Sequence, residues 1–305
     1  MIEVSGLTKR YGDTTVVDDL SFTVAPGVVT GFLGPNGAGK STTMRMIAAL
    51  DRPSSGSVRV NGKTYRRAAV PMAELGVLLE ARAVHAARPA FHHLLALAQT
   101  NGIGRRRVGE VLDLVGLAGV TRRRAGEFSL GMGQRLGIAA ALLGDPATVM
   151  LDEPVNGLDP EGIRWVRALL RHLAAQGRTV FLSSHLLSEM ALTAQRLIVI
   201  GRGRLIADTT VEEFIATAAP AHVRVCTPEA DRLTMVLAGP RVEISAPVPG
   251  VLTVRGHSAE RIGDLAWEHR IRINELCVDR MSLEEAFLGL TRDSVEFRSA
   301  EVGAA

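Results

Sequence analysis

The segment Gly34-Pro35-Asn36-Gly37-Ala38-Gly39-Lys40-Ser41-Thr42 decides the fold of this chain. It fits the pattern G-x-x-x-x-G-K-[ST], in which a glycine-rich loop surrounds phosphate groups. The apolar run before it, 28–33, predicts a buried strand, and the segment behind it, 42–50, predicts a helix. Because glycine has no Cβ, backbone N–H groups can approach an anion closely, and the positive end of the helix dipole adds to the attraction. The loop therefore predicts a site for a nucleoside triphosphate.

Two side chains of this loop have predicted roles of their own. Lys40 is placed to reach the β- and γ-phosphates, and the Ser41 hydroxyl is placed to hold Mg²⁺. The chain has 35 basic residues, of which only Lys9, Lys40 and Lys63 are lysines. The lysine of the loop thus stands out against an arginine-rich background, which suggests that it has a specific purpose.

Composition limits the remaining possibilities. The chain has 305 residues, 47% of them hydrophobic, with a net charge of +3 and no run of 18 or more apolar residues without a charge. This length allows one large domain or two, and we expect a cytoplasmic chain that spans no membrane. The basic clusters Arg105-Arg106-Arg107 and Arg122-Arg123-Arg124 are short, so we expect a solvated face, or a rim touching anionic lipid or a partner, and no nucleic-acid binding. Cys226 and Cys277 are expected in strands of one small domain, without a disulfide.

The pattern along the chain predicts an α/β protein with a P-loop NTPase core. Apolar runs at 149–151, 179–182 and 197–200 alternate with helical segments, which is typical of a parallel sheet covered on both faces. The first 65 residues predict an antiparallel β subdomain, and 83–143 predicts an inserted helical subdomain. After residue 216, strands at 222–226, 251–254 and 271–273 alternate with helices at 230–237 and 259–267, and a last helix covers 282–290. We therefore predict an ATPase-like domain at 1–218, a small C-terminal α+β domain at 219–292 and a flexible tail at 293–305.

Two further segments carry candidate catalytic groups. The apolar strand 148–151 ends in Asp152 and Glu153 and is expected beside the P-loop strand. Asp152 would then ligate Mg²⁺, and Glu153 would polarise the water that attacks the γ-phosphate. His185 follows another apolar strand, on the side of the sheet where ligands bind, and can contact the γ-phosphate.

In their order, these segments resemble the nucleotide-binding subunit of an ABC transporter over roughly residues 1–213. The resemblance implies that Tyr11 stacks on adenine, that Phe128 to Arg135 is the signature segment, and that Asp159 lies in the D-loop. The signature departs from the usual Leu-Ser-Gly-Gly-Gln but keeps Ser129 and Gly131. Glu80 stands where the family has the glutamine of the Q-loop, and a carboxylate there can still contact Mg²⁺ or its water. The predicted cofactor-binding residues are Tyr11, Gly34, Pro35, Asn36, Gly37, Ala38, Gly39, Lys40, Ser41, Thr42, Ser129, Gly131 and Asp159.

The resemblance also implies a function. It implies an ATPase that uses ATP and Mg²⁺, forms a homodimer around ATP and powers export through a separate membrane-spanning permease subunit, at the cytoplasmic face of the membrane. The C-terminal segment 281–291 resembles the ending of ATPase subunits of daunorubicin-type exporters, which favours a drug, antibiotic or lipid-like substrate. Two alternatives remain: a soluble ABC-type ATPase that acts on nucleic acid or ribosomes, and a P-loop kinase or GTPase.

Overall fold

The structure, a computed structural model, describes residues 1–80, 84–218, 222–279 and 282–291. The predicted tail at 293–305 lies outside these residues. The chain divides into two compact units, Met1–Val211 and Glu212–Leu290. The sequence predicts this boundary after residue 218, whereas the structure groups most of the helix Val211–Ala218 with the second unit. No helix of the described residues is long and apolar enough to cross a membrane.

The first unit contains two sheets. The smaller one has three antiparallel strands in the order β2-β1-β4, which are β1 (Ile2–Tyr11), β2 (Thr14–Val24) and β4 (Ser55–Val60). The larger one has the order β5-β6-β7-β3-β8-β9, with β3 (Val29–Leu33), β5 (Leu75–Leu78), β6 (Thr148–Leu151), β7 (Thr179–Ser183), β8 (Arg196–Gly201) and β9 (Arg204–Thr210). Its strands are parallel except β9, which pairs antiparallel to β8.

The strand order corrects one prediction. The strand with Asp152 at its end, β6, does not lie beside the P-loop strand β3, because β7 lies between them. The carboxyl ends of parallel strands still meet at one edge of the sheet, so the residues after β6 and β3 come close together. The strand β7 also contributes its own last residue, Ser183, to that edge.

Seven α-helices accompany these sheets within the described part of the first unit. They are α1 (Lys40–Ile47), α2 (Pro71–Glu74), α3 (Ala90–Thr100), α4 (Arg105–Leu114), α5 (Leu130–Leu142), α6 (Pro160–Ala175) and α7 (Leu187–Thr193). The helices α3, α4 and α5 fall within the predicted helical subdomain. The first of the seven, α1, ends earlier than the predicted residue 50, since Ala49 has a φ of 55° and cannot continue a right-handed helix.

Aromatic packing connects the two sheets. Phe22 of β2 lies 5.8 Å from Phe32 of β3 and 5.9 Å from Phe181 of β7, measured between ring centroids. All three side chains are buried. Each contributes a large apolar area together with a favourable tilted ring contact, so the smaller sheet is fixed onto the larger one.

The second unit is an α+β fold. Its four antiparallel strands have the order β11-β12-β10-β13, and they are β10 (His222–Cys226), β11 (Glu243–Val248), β12 (Val251–Arg255) and β13 (Glu275–Asp279). Its helices are α8 (Val211–Ala218), α9 (Ala230–Leu237), α10 (Ala259–Glu268) and α11 (Leu283–Thr291). Buried aliphatic side chains of β10, β12, α9 and α10 form its core.

Three details of this unit differ from or complete the sequence prediction. The predicted strand at 271–273 is wrong: these residues are irregular, and the strand begins four residues later at Glu275. The strand β11 was not predicted, because Pro247 and Pro249 suggest a turn; in the structure Val248 pairs with Val251 across it. Both cysteines are free and lie in the neighbouring strands β10 and β13.

Candidate functional site

The glycine-rich loop joins β3 to α1 and is held tightly between its neighbours. Gly39 has a φ of 98°, and a Cβ placed on it would lie 2.8 Å from the Val16 carbonyl oxygen. A Cβ on Gly34 would lie 2.6 Å from the Ile200 carbonyl oxygen. Both distances are shorter than van der Waals contact, so only glycine fits the backbone path at these two positions. The loop therefore keeps its N–H groups at the carboxyl edge of the sheet.

Lys40 folds back over this loop. Its Nζ donates hydrogen bonds to the carbonyl oxygens of Gly34 and Pro35, the second at 3.2 Å. Burial lowers the pKa of Lys40, while the negative charges of Glu153 and then Asp152 act in the opposite direction. The lysine thus lies in a partly desolvated position where a negatively charged ligand would be strongly attracted.

Side chains from three elements meet beside the loop. The Ser41 hydroxyl at the start of α1 lies 3.1 Å from Asp152 Oδ2, after β6. Ser183 at the end of β7 donates a hydrogen bond to Asp152 Oδ1, and its Oγ accepts one from the Glu153 N–H at 3.1 Å. Hydroxyl and carboxylate oxygens are the donors that Mg²⁺ prefers, so the pair Ser41 and Asp152 fits this cation. Ser183 fixes the orientation of the aspartate.

Glu153 has an unusual backbone. Its φ of 51° lies in the left-handed region, which is uncommon for a residue other than glycine and is found often at functional sites. Gln134 of α5 donates to its carbonyl oxygen at 2.9 Å. Its Oε2 lies 2.8 Å from His185 Nδ1 and accepts a second bond from the His185 N–H at 3.2 Å. The surrounding bonds hold the strained conformation and place a carboxylate and an imidazole in contact.

Two cavities open beside these residues. The larger one, of about 560 Å³, contains Ser41, Glu80 and Asp152 in its wall together with apolar residues of β5 and α3. The smaller one, of about 310 Å³, includes residues of the loop itself and is lined by Thr14, Thr15, Val16, Asn36, Gly37, Ala38 and Arg202. The structure therefore places the predicted metal-binding residues Ser41, Asp152 and Glu80 around one space.

Tyr11 stands apart from these cavities. It ends β1, its side chain is half exposed, and its ring is not part of either cavity wall. Lys9 Nζ lies 4.8 Å from the ring centroid, and the Tyr11 hydroxyl lies 3.4 Å from Asp51. Partial desolvation and then the charge of Asp51 raise the pKa of Tyr11. One face of the ring is occupied by the lysine, which leaves the other for a base.

The predicted signature and D-loop residues form a second group. Ser129 is the N-cap of α5 and accepts a hydrogen bond from Met132 N at 3.2 Å, while Asp159 is the N-cap of α6 and accepts one from Gly162 N at 2.8 Å. A Cβ on Gly131 would lie 3.1 Å from the Gly157 carbonyl oxygen, so the two segments pack closely. Ser129 lines a separate cavity of about 340 Å³, whose wall includes no residue of the glycine-rich loop.

Sequence reasoning missed two buried residues of the site. Ser183 and Gln134 are almost fully buried, and each bonds to the segment that carries Asp152 and Glu153. A serine at the end of the apolar strand before His185 is the only sequence signal for the first. Gln134 lies in the quoted signature segment but was given no role of its own, because nothing in the sequence shows that α5 reaches β6.

Comparison with known proteins identifies the family. The ABC transporter family model matches residues 17–156, and a second model, a domain of unknown function (DUF8746), matches residues 221–284. The uncharacterized ABC transporter ATP-binding protein YhcH of Bacillus subtilis (strain 168) is 35% identical, over 97% of both chains. The daunorubicin resistance ATP-binding protein DrrA3 of Streptomyces coeruleorubidus is 34% identical, over 98% of both. The bacitracin transport ATP-binding protein BcrA of Bacillus licheniformis is 42% identical, over 68% of both.

Solved structures show the same fold. The ATP-binding subunit of an ABC transporter superposes with a TM-score of 0.66 at 27% identity, covering 71% of this chain and 92% of the other. A dimeric ATP-binding cassette in a post-hydrolysis state, bound to ADP and Pi, superposes with a TM-score of 0.63 at 23% identity, covering 69% and 98%.

The chain therefore belongs to the ABC transporter ATP-binding proteins, and the family resemblance and the P-loop NTPase fold expected from the sequence are confirmed. It is an ATPase subunit that binds ATP. The findings support neither the soluble alternative nor the kinase or GTPase alternative.

Proposed function

We propose that this chain powers the export of an antibiotic or another amphipathic molecule through a separate membrane-spanning subunit, at the cytoplasmic face of the membrane and without any role in nucleic-acid binding. The observation that supports the chemistry is the contact network at the sheet edge, where Ser41, Asp152, Glu153 and His185 are joined by hydrogen bonds. The substrate class follows from the relatives whose names refer to bacitracin transport and daunorubicin resistance.

In this proposal Lys40 and the loop N–H groups bind the β- and γ-phosphates, with Tyr11 stacked on the adenine. Ser41, Asp152 and Glu80 would hold Mg²⁺, which supplies charge neutralisation for the phosphates when it is bound. Glu153 accepts a proton from the attacking water, and His185 contacts the γ-phosphate. The 2.8 Å contact between Glu153 Oε2 and His185 Nδ1 keeps both side chains in the orientation that these roles need.

The proposed active site is shared between two copies of the chain. Ser129 lines a cavity without a glycine-rich-loop residue, and the two cavities beside the loop contain no residue of the signature segment. A two-fold pair would bring the loop of one copy against Ser129 and Gly131 of the other, at the positive N-terminal end of α5. Asp159 at the start of α6 would lie beside this interface, since the D-loop packs on the signature.

The membrane subunit would contact the helical segment after Glu80. The cavity of about 560 Å³ has Val84, His93 and Leu97 in its wall as well as Asp152. A partner segment inserted there would contact the metal-binding edge and the helical subdomain together. This arrangement could link ATP hydrolysis to movement of the membrane subunit.

The experiment that tests this proposal replaces Glu153 by Gln. The change keeps the shape and the bond from the His185 N–H but removes the negative charge, so we expect hydrolysis to fall by about 10²–10⁴-fold while ATP affinity holds. The variant should then accumulate as an ATP-bound dimer on gel filtration with Mg-ATP, with the membrane subunit present if the pair alone is weak. Glu189→Gln, which removes a partly buried carboxylate paired with Arg167, is the matched control. Hydrolysis at the parent rate would refute the role of Glu153.

A further inference from the structure

The backbone of Glu153 is held from two directions. Its N–H donates a hydrogen bond to the Ser183 hydroxyl of β7 at 3.1 Å, and its carbonyl oxygen accepts one from Gln134 Nε2 of α5 at 2.9 Å. The same carbonyl oxygen accepts a local bond from Asn156 N at 3.2 Å. Ser183 and Gln134 are both buried, so the left-handed φ of 51° is fixed on either side by side chains of other elements. These bonds restrict the backbone rotation that sets the direction of the carboxylate.

The helix α5 is packed so closely that Gln134 has a defined place. A Cβ on Gly137 would lie 2.6 Å from the Leu78 side chain of β5, and a Cβ on Gly157 would overlap the Leu130 side chain. Leu130 and Gln134 are four residues apart and therefore lie on one face of α5, the face that contacts the segment after β6. The amide is thus delivered to that segment by a helix that is fixed against the sheet.

The polarity of Gln134 is better explained by geometry than by packing. The residue is only 3% exposed, and removing an amide from water costs free energy that a hydrogen bond largely offsets without a great surplus. Methionine or leucine would fill a similar volume without this cost. What the amide adds is a directed bond, and the group that receives the bond belongs to the candidate general base.

We propose that Gln134 is a positioning residue for ATP hydrolysis: by holding the Glu153 carbonyl, it sets the backbone conformation that directs the carboxylate towards the attacking water. The helix α5 then serves two sites. Its first turn, with Gly131 behind the cap Ser129, completes the site of the other copy, whereas its second turn supports the base of its own chain. The inference rests on the proposed function, in which Glu153 is the general base and the signature acts in a second copy.

The first test compares kcat and KM of Gln134→Met. The change keeps the length of the side chain but removes the donor, and we expect kcat to fall on the order of 100-fold, because a displacement of about 1 Å from the catalytic geometry has this effect. The KM for ATP should hold, since Lys40 and the glycine-rich loop are unchanged. Gln134→Glu, which keeps the shape but cannot donate, should behave alike and replaces the first variant if that one does not bind ATP. A parent kcat in the folded variants would overturn the proposal.

The matched control removes a glutamine–backbone bond at the other end of the sheet. Gln195 Oε1 accepts a hydrogen bond from the Val29 N–H at 2.7 Å, at the start of β3, whereas the glycine-rich loop follows the end of that strand. Gln195→Met should lower the melting temperature and leave kcat at the parent value. An equal loss of kcat in Gln195→Met and Gln134→Met would show that hydrolysis simply follows stability, and the proposal would be wrong.

The second test asks whether Gln134 acts through Glu153. Single-turnover phosphate release is measured for Glu153→Gln alone and for Glu153→Gln combined with Gln134→Met. If Gln134 acts only by placing the base, the second change should cause no further loss once the base is gone. Losses that multiply would contradict the proposal. Parent-rate hydrolysis by Glu153→Gln would refute the general base of the proposed function, whereas an inactive Glu153→Gln beside a fully active Gln134→Met would refute this inference alone.

The third test locates the defect within the pair of copies. Mixed with Ser129→Ala, the Gln134→Met chain still supplies an intact signature to an intact loop and base, so about a quarter of the parent activity should return. Mixed with Lys40→Ala it should not recover, because the only intact loop then lies in the chain with the displaced base.

The opposite pattern would place the defect of Gln134→Met in the signature, and recovery in neither mixture would show a general defect; both results overturn the proposal. A mixture of Lys40→Ala with Ser129→Ala checks the shared site itself. If that mixture does not recover, the two-copy site of the proposed function is refuted, and the combination with Glu153→Gln still decides the role of Gln134.

Discussion

The sheet edge that carries the glycine-rich loop and the segment that carries the signature are built in different ways. At the sheet edge, side chains from α1, β6 and β7 bond to one another across elements that are distant in sequence. At the signature, the Ser129 hydroxyl accepts a hydrogen bond from Met132 N, three residues away in the same helix. The first group is therefore fixed by the tertiary structure of one chain, while the second is a local helix cap, which our proposal assigns to the site of a second copy.

The strongest test of this comparison combines a variant of each region. Lys40→Ala should lower hydrolysis on the order of 10²–10³-fold, because a preorganised charge at the phosphates is lost. Ser129→Ala should also inactivate the enzyme if the signature completes the site of another copy. A mixture of the two inactive variants should then regain about a quarter of the parent activity, since half of the pairs are mixed and each holds one intact site.

The measurement is phosphate release at a fixed total chain concentration. Lys63→Ala, which removes an exposed lysine outside the loop, is the control for Lys40. No recovery in the mixture, with both variants folded, would mean that one chain does not supply its signature to another.

Ser183 tests whether the sheet edge acts as a connected network. Ser183→Ala removes the hydroxyl that bonds to both Asp152 Oδ1 and the Glu153 N–H, so these two atoms lose the partner that Ser183 supplies. We expect a loss of about 1–3 kcal/mol in stability, measured by urea unfolding, and a clear fall in hydrolysis. Ser184→Ala is the control, because that hydroxyl accepts a bond from Leu186 N in a local turn. Similar effects of both changes would argue against a special role for Ser183.

Tyr11 tests whether the base lies outside the sheet edge. If the free face of its ring stacks on adenine, Tyr11→Ala should weaken ATP binding by about 1–3 kcal/mol, whereas Tyr11→Phe should have little effect. The control is Tyr65→Ala, which changes a tyrosine packed against the core of the first unit. This variant should have a changed melting temperature but the ATP affinity of the parent. Titration with a fluorescent ATP analogue measures the affinities. If Tyr11→Ala binds ATP as tightly as the parent, the ring does not stack on adenine, and its role is limited to the contacts with Lys9 and Asp51.

The smallest effect is expected at His93 of α3, which lies in the wall of the cavity that also contains Ser41 and Asp152. Its side chain is buried, and its Nδ1 has no partner among the described residues. Burial, followed by the charges of Arg88 and His85, lowers its pKa below the ordinary value of 6.5. The unfolded chain therefore binds more protons, and stability should fall as the pH drops below about 6.5, by at most about 1.4 kcal/mol per pH unit.

Urea unfolding at several pH values measures this dependence. His93→Gln should make the curve flatter in that range, and His92→Gln, at an exposed neighbour, should leave it unchanged. Identical curves for the parent and His93→Gln would show that His93 is not the responsible group.

Local patterns explain what could be predicted from the sequence. The glycine-rich loop and the apolar strands of the larger sheet follow from spacing and from turn-forming residues within a few positions. The missed strand β11 and the misplaced strand after residue 270 show where this fails. Proline is tolerated in an edge strand such as β11, which pairs on only one side, but in the sequence it indicates a turn. The alternation of Ile271 and Ile273 is typical of a strand, although the strand begins only at Glu275.

By itself, the sequence determined the class of this protein, because the residues that bind phosphates are contiguous and their glycines are required by the local backbone path. The tertiary structure alone decided how Asp152 meets Ser41. The strand β7 separates β6 from β3, and its Ser183 bonds to the residues that follow β6. It also decided that Gln134 supports the strained backbone of Glu153. These are contacts between distant parts of the chain, and no local pattern encodes which strands become neighbours.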